Sequence, residues 1–133
     1  MEKIRISSGV QKIEVNDEGE TILLPVSDDG FIVAFYKLLD RVQTAARSIP
    51  QTGEDIAGNM EAVETVVALE QELREKVDGL FGPETCRKVF GPILPSMDLF
   101  VEFFGSLLPF IEAHRDERLA KMSKYDAGRT GTL

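Results

Sequence analysis

Three groups of side chains in this sequence have the types that do chemistry: a lone histidine, a lone cysteine and several close-set carboxylates. His114 stands among Glu112, Arg115 and Asp116 on a charged helical stretch. A general base needs a nucleophile and an orienting partner, and no spacing in the chain supplies them, so it reads as a surface histidine. Cys86 lies a turn into a short helix beside Arg87 and Lys88, an arrangement that can lower a thiol's pKa. A free cysteine more often packs as a small apolar group, and burial is the expectation. Glu61 and Glu64, like Glu70, Glu72 and Glu75, have no Glu-x-x-His pairing, calcium-loop spacing or second histidine, and read as solvated helix faces. Gly79 and Gly82 precede no Gly-Lys-Ser/Thr and open no βαβ unit, so they form no phosphate loop. The expectation is a protein that is not an enzyme and takes no cofactor or metal.

The elements that must carry these residues form one domain, since 133 residues with 43% hydrophobic content suffice for one core and not for two. The formal charge is −8, from 15 Lys and Arg against 23 Asp and Glu, which disfavours the counterion release behind most nucleic-acid binding. The charge is uneven. From His114 onward Arg115, Arg118, Lys121, Lys124 and Arg129 outnumber Asp116, Glu117 and Asp126, whereas the rest of the chain is strongly acidic. Such asymmetry suits head-to-tail contacts or a partner of mixed charge, or marks a solvated helix end. One cysteine excludes an intrachain disulfide framework and suits a reducing compartment, the cytoplasm by default. The amino terminus lacks the apolar core of a signal peptide. The longest greasy stretch, Leu99 to Ile111, is broken by Glu102, Gly105 and Pro109 and falls short of the ~20 residues that cross a bilayer.

Period-two alternation at Ile4 and Ile6, Ile13 and Val15, and Ile22 and Leu24 predicts three strands. Ser7-Ser8-Gly9 and Asn16-Asp17-Glu18-Gly19 supply the turns. Ser27-Asp28-Asp29 predicts a helix entrance, and Phe31, Phe35, Leu38, Leu39, Val42, Ala45, Ala46 and Ile49 give the helix one buried stripe. Pro50 stops it, and Gln51-Thr52-Gly53 is a linker. A second helix is expected from Glu54 to Gly79, with Ile56, Met60, Val63, Val66, Val67, Leu73, Val77 and Leu80 inward and Glu70–Arg74 and Glu72–Lys76 paired on the outside. Pro83 opens a short helix to about Phe90, ended by Gly91-Pro92. Ser96 caps a last helix running to about Tyr125 and kinked at Pro109. The fold class is therefore α+β, mainly α: a small antiparallel β-meander (1–26) packed on a bundle of three to four helices (27–125), with a loose tail (126–133).

The apolar run is different in kind from the other features. Leu99, Phe100, Val101, Phe103, Phe104, Leu107, Leu108, Phe110 and Ile111 point almost all round a helix axis, so the helix is either central in the core or has a second greasy face. Core alone, and core plus self-association into a homo-oligomer or partner binding, both stay open.

From Asp78 to Gly91 the sequence DGLFGPETCRKVFG, followed by the Phe-rich helix and the charged end Arg115-Asp116-Glu117-Arg118 through Lys124-Tyr125, resembles small tail-region proteins of long-tailed phages and prophages of Gram-positive bacteria. These look like tail assembly chaperones. The likeness covers the carboxy-terminal part closely and the amino-terminal hairpin in pattern only; the longer hairpin segment, Pro92 and Pro95 depart from it. It implies a protein of the infected host cell's cytoplasm that keeps a tape measure protein soluble and delivers tail tube subunits to it; the acidic charge and the short apolar stretch argue separately against nucleic-acid and membrane partners. Phe100, Phe103, Phe104 and Leu107 would then form the partner surface, with Leu80 and Phe81 as the hinge. An acidic phage-encoded inhibitor of a host or defence enzyme, and a small structural tail protein, are the alternatives.

Overall fold

The amino-terminal turn is built by one side chain. Asn16 Oδ1 accepts from the Glu18 and Glu20 amides at 3.0 and 3.1 Å, and Gly19 takes the positive φ of 78° that closes the loop. In this computed structural model, which describes residues 1–6, 8–50 and 54–131 (side chains as far as 123), that turn joins β1 (Val10–Glu14) to β2 (Thr21–Pro25). The two strands are antiparallel, with Ile13 opposite Ile22 and Gln11 opposite Leu24. Four helices follow: α1 (Asp29–Arg47), α2 (Ile56–Phe81), α3 (Thr85–Phe90) and α4 (Met97–Gly131). The architecture is α+β and mainly α, a small amino-terminal sheet packed on a helical bundle.

The predicted first strand does not form: Ile4 and Ile6 are almost fully exposed and pair with nothing among the described residues. Alternation says where a strand's face would point, not whether an edge lies within reach. Of its expected turn, Ser7 is outside the described residues, while Gly9 has a φ of 69° and the Ser8 carbonyl accepts from the Ser27 hydroxyl.

Asp28 caps α1 by accepting from the Gly30 and Phe31 amides at 2.8 and 3.3 Å, and Asp55 caps α2 through Gly58 at 2.7 Å. Phe31, Phe35, Leu38, Val42 and Ala45 are buried on α1, as its stripe requires; Ile49 is exposed beyond its end. The linker Gln51-Thr52-Gly53 lies outside the described residues. On α2 the expected stripe holds only in its second half, where Leu73 and Val77 are fully buried; Ile56, Met60 and Val63 are exposed. The expected outer pairs also fail to form among the described residues. Glu72 bonds Arg41 of α1 at 2.6 Å, and Glu70 is buried at the entrance of α4, facing the Met97 amide.

The α2–α3 hinge depends on Asp78, whose carboxylate accepts from the Cys86 amide at 2.9 Å and caps α3 from the preceding helix. Thr85 Oγ1 donates to the Gly82 carbonyl at 2.7 Å, Gly82 has a φ of 121°, and Glu84 sits at a φ of 70° just before the helix. Pro83 is thus in the turn rather than at the first helical position. Gly91, at a φ of 83°, closes α3. The short helix then holds the hairpin: Asn16 Nδ2 donates to the Lys88 carbonyl at 3.0 Å, Lys88 Nζ to the Thr21 carbonyl at 3.3 Å, and Arg87 Nη2 to Glu20 at 2.9 Å. Those Arg87 hydrogen bonds hold the Glu20 carboxyl below its usual range.

Ser96 stands at the entrance of α4, but its hydroxyl donates to Asp98 rather than accepting a backbone amide. The helix is unbroken at Pro109, which is exposed, and Gly105, whose carbonyl the ring faces, lies in open space. It continues past Tyr125 to Gly131.

Replacing Asp78 by Ala removes the α3 cap and should lower the unfolding free energy by ~1 kcal/mol, read as a lower urea midpoint at unchanged slope. Burial raises the Glu70 pKa, the Met97 amide opposes it and Asp98 adds to it. The folded chain therefore holds this proton more tightly than the unfolded one. The resulting stability is complete below the unfolded pKa and is lost as pH rises through the folded value. Between about pH 4 and pH 7, Glu70→Gln should gain stability relative to the wild type, measured as the difference in urea midpoints; a constant difference would show that burial of the charge is not the cause.

Candidate functional site: two grooves flanking α4

Most of the residues expected at a partner surface are core. Phe100 and Phe104 are fully buried, and Phe103 and Leu107 are 7% and 3% exposed. The reason is coverage on several sides. Phe104 meets Phe35 of α1 at a ring distance of 5.4 Å, and Phe103 meets Phe81 of α2 and Phe90 of α3 at 5.4 and 5.7 Å. Phe81, half-buried, also stands 5.8 Å from Phe31 and 6.1 Å from Phe104. The hinge residue is thus an aromatic hub. Leu80 beside it is half-buried and lines a shallow hollow with Leu38, Arg41 and Lys76.

What reaches the surface are the gaps between the covering elements. The first groove, about 320 Å³, lies between the hairpin, α3 and α4. Phe103 and Leu107 line it together with Ile13, Val15, Val89 and Phe90. Phe110, 40% exposed, and the carboxylates of Glu14 and Glu102 complete its lining. It is an apolar slot with acidic side chains, large enough for one or two bulky side chains.

The second groove, about 330 Å³, runs between α1 and the outer part of α4 and is lined by Ile32, Tyr36, Ile111, Leu119 and Met122. Arg118 bridges Asp29 with its Nη1 and Nη2, the latter at 3.2 Å from Oδ2, and holds the Asp29 carboxyl below its usual range. His114 is here too, and it is half-buried rather than a surface residue. It extends the α1-facing stripe of α4 by one turn beyond Ile111, and Gly9 sits so close that a Cβ there would stand 3.7 Å from the imidazole. Its Nε2 is buried with no hydrogen-bond partner among the described residues. Periodicity through Leu107 and Ile111 was the available sign of its burial.

Cys86 is buried, as expected for a small packing residue. Burial first, and the Asp78 carboxylate second, push its thiol up to about 12. Glu61 and Glu64 are exposed on α2 and Glu75 likewise, whereas Glu70 and Glu72 do structural work at the α4 and α1 contacts. Among the described residues no three His, Cys, Asp or Glu side chains are grouped to hold a metal ion, and no helix is long and apolar enough to cross a membrane.

A family model described as a family of unknown function, DUF6673, matches residues 18–132. The chain belongs to this family. The matched span includes β2 and all four helices, and so most of both grooves. No curated protein and no solved structure matches the chain.

The folded protein's Cys86 should react with a disulfide reagent roughly a hundredfold or more slower than the urea-unfolded chain at the same pH. Equal rates would place the thiol at the surface.

Proposed function

We propose that this DUF6673 protein is a non-catalytic assembly factor that binds an apolar, basic-flanked helix of a partner, in the manner of the phage tail assembly chaperones its sequence resembles. The observation that carries this is the groove between the hairpin, α3 and α4: an apolar slot lined by Phe103 and Leu107, with Phe110 exposed and Glu14 and Glu102 beside it. An apolar slot with carboxylates suits one turn of an amphipathic helix, with anchors entering the slot and cations meeting the acids. The tape measure protein is the partner the resemblance gives, with tail tube subunits as the second, and the host cytoplasm is the place. Leu80 and Phe81 act in this reading by holding α2 and α4 in place, not by touching the partner.

The test is co-expression with a phage tape measure protein, scoring that partner's solubility and co-purification. Phe110→Glu, at an exposed position, should cut the co-purified partner roughly tenfold or more while leaving the melting temperature near that of the wild type. The complex should persist at high salt. A decoy for a basic enzyme groove, the second reading that a charge of −8 supports, would instead lose binding steeply with ionic strength. A partner that stays insoluble with or without this protein would overturn the chaperone reading.

A further inference from the structure

Two helices of this fold run past the bundle, at opposite ends. Arg41 bonds Glu72, and Phe31 and Phe35 stack near Phe81, so α1 and α2 are antiparallel. Counting outward from that register, α1 ends at Arg47 while α2 still has its first turns, from Ile56, beyond it. Arg118 bonds Asp29 and Phe104 packs on Phe35, so α1 and α4 are antiparallel as well. Here α1 begins at Asp29, and α4 continues from Leu119 to Gly131, about 20 Å at the usual helical rise. The amino-terminal overhang of α2 therefore projects at one end of α1 and the carboxy-terminal overhang of α4 at the other.

Both overhangs carry uncovered apolar residues, and their charges are opposite. On α2, Ile56, Met60 and Val63 are 79%, 57% and 56% exposed and continue the face that lower down buries Leu73 and Val77. They form a hollow with Asn59 and Glu64. The sequence from Ser48 to Leu73 contains Glu54, Asp55, Glu61, Glu64, Glu70 and Glu72 and no Lys or Arg. On α4, Leu119 and Met122 are more than half exposed, one turn apart on one face, in a stretch where Arg115, Arg118, Lys121, Lys124 and Arg129 outnumber Asp116, Glu117 and Asp126.

We propose that copies of this chain associate head to tail, the α4 overhang of one lying along the α2 overhang of the next. Since α2 and α4 are both antiparallel to α1, they are parallel to each other. Moving a second copy along the bundle axis brings its α2 overhang beside the first copy's α4 overhang, with Leu119 and Met122 level with Ile56 and Met60. Pairing α2 with α2 would set acids against acids, and pairing α4 with α4 would set one cationic end against another. The contact is heterologous, leaves a free half at each end and so extends into rings or filaments. An overlap of only two or three turns belongs to the small, reversible class of interface. The association uses neither Phe110 nor Glu102, and stands or falls separately from the groove reading.

The experiment is sedimentation velocity over a concentration series of the full chain, with two variants at exposed positions: Met60→Lys/Val63→Lys on α2 and Leu119→Glu/Met122→Glu on α4. Circular dichroism checks that both keep the helical content of the wild type. The wild type should grow beyond a dimer as concentration rises, and each variant alone should stay monomeric. An equimolar mixture of the two variants should give a 1:1 complex and nothing larger, because one intact α4 overhang meets one intact α2 overhang. A wild type that stays monomeric at about 1 mM would overturn the proposal. So would a variant that still associates alone, as a symmetric contact through the untouched patch would allow, or a mixture that remains monomeric.

Discussion

Phe81 is the side chain on which the arrangement of the helices depends. Its ring lies within 6.4 Å of Phe31 and Phe35 on α1 and of Phe103 and Phe104 on α4, mostly edge to face. Each such pair adds ~0.5 to 1.5 kcal/mol beyond the burial of its area. Phe81 is also the last residue of α2, three positions after Asp78. The residue that fixes the aromatic hub thus ends the same helical turn that caps α3, so the position of α3 and the packing of α1 on α4 are set together.

The hairpin depends on that hinge in turn. Two strands alone are marginal in water, and this pair lacks the third strand that alternation suggested. Ile22, Leu24 and Val26 bury one face of it against the helices, while α3 supplies Arg87, Lys88 and the Lys88 carbonyl to its turn and second strand. A six-residue helix could not hold a sheet if its own first turn were loose. The sequence motif from Asp78 to Gly91 is therefore structural punctuation: a cap, a positive-φ glycine, a threonine closing the turn and a second glycine ending it.

Where the sequence was legible, the determining contacts were local. The Asp28 cap, the α1 stripe, the Asn16–Gly19 turn, the Gly91 stop and the burial of Cys86 all follow from residues within a turn or two of one another. What was not legible depended on the length and position of other elements. Ile56, Met60 and Val63 follow the same spacing by threes and fours that leads on to Leu73 and Val77, but α1 ends before reaching them. Glu70 lies in that same apolar phase, and periodicity read its charge as outward because the entrance of α4 beside it is non-local. For His114 the periodicity through Leu107 and Ile111 gave a local sign of burial, but its neighbour Gly9 comes to it from the far end of the chain. The residues expected on α4 as a partner surface are a case of the same kind: the all-round apolar pattern marks the helix as central, and only the arrangement of α1, α2, α3 and the hairpin buries Phe100 and Phe104 while leaving Phe103 and Leu107 at the wall of a groove.

A helix that is apolar all round must be covered all round, and this chain does so with four separate elements rather than one continuous layer. Separate covers meet imperfectly. The groove with Phe110 at its surface lies where the hairpin and α3 stop short of each other over α4, and the second groove lies where α1 begins too late to cover Leu119 and Met122. The grooves of this fold are consequently edges of the core, not a dedicated face. Polar residues define them: Glu14 and Glu102 in one, the Arg118–Asp29 bridge in the other. The α4 helix, buried where it is greasiest, acts as the axis from which both edges are measured, so a change in its packing at Phe100 or Phe104 would alter both grooves at once.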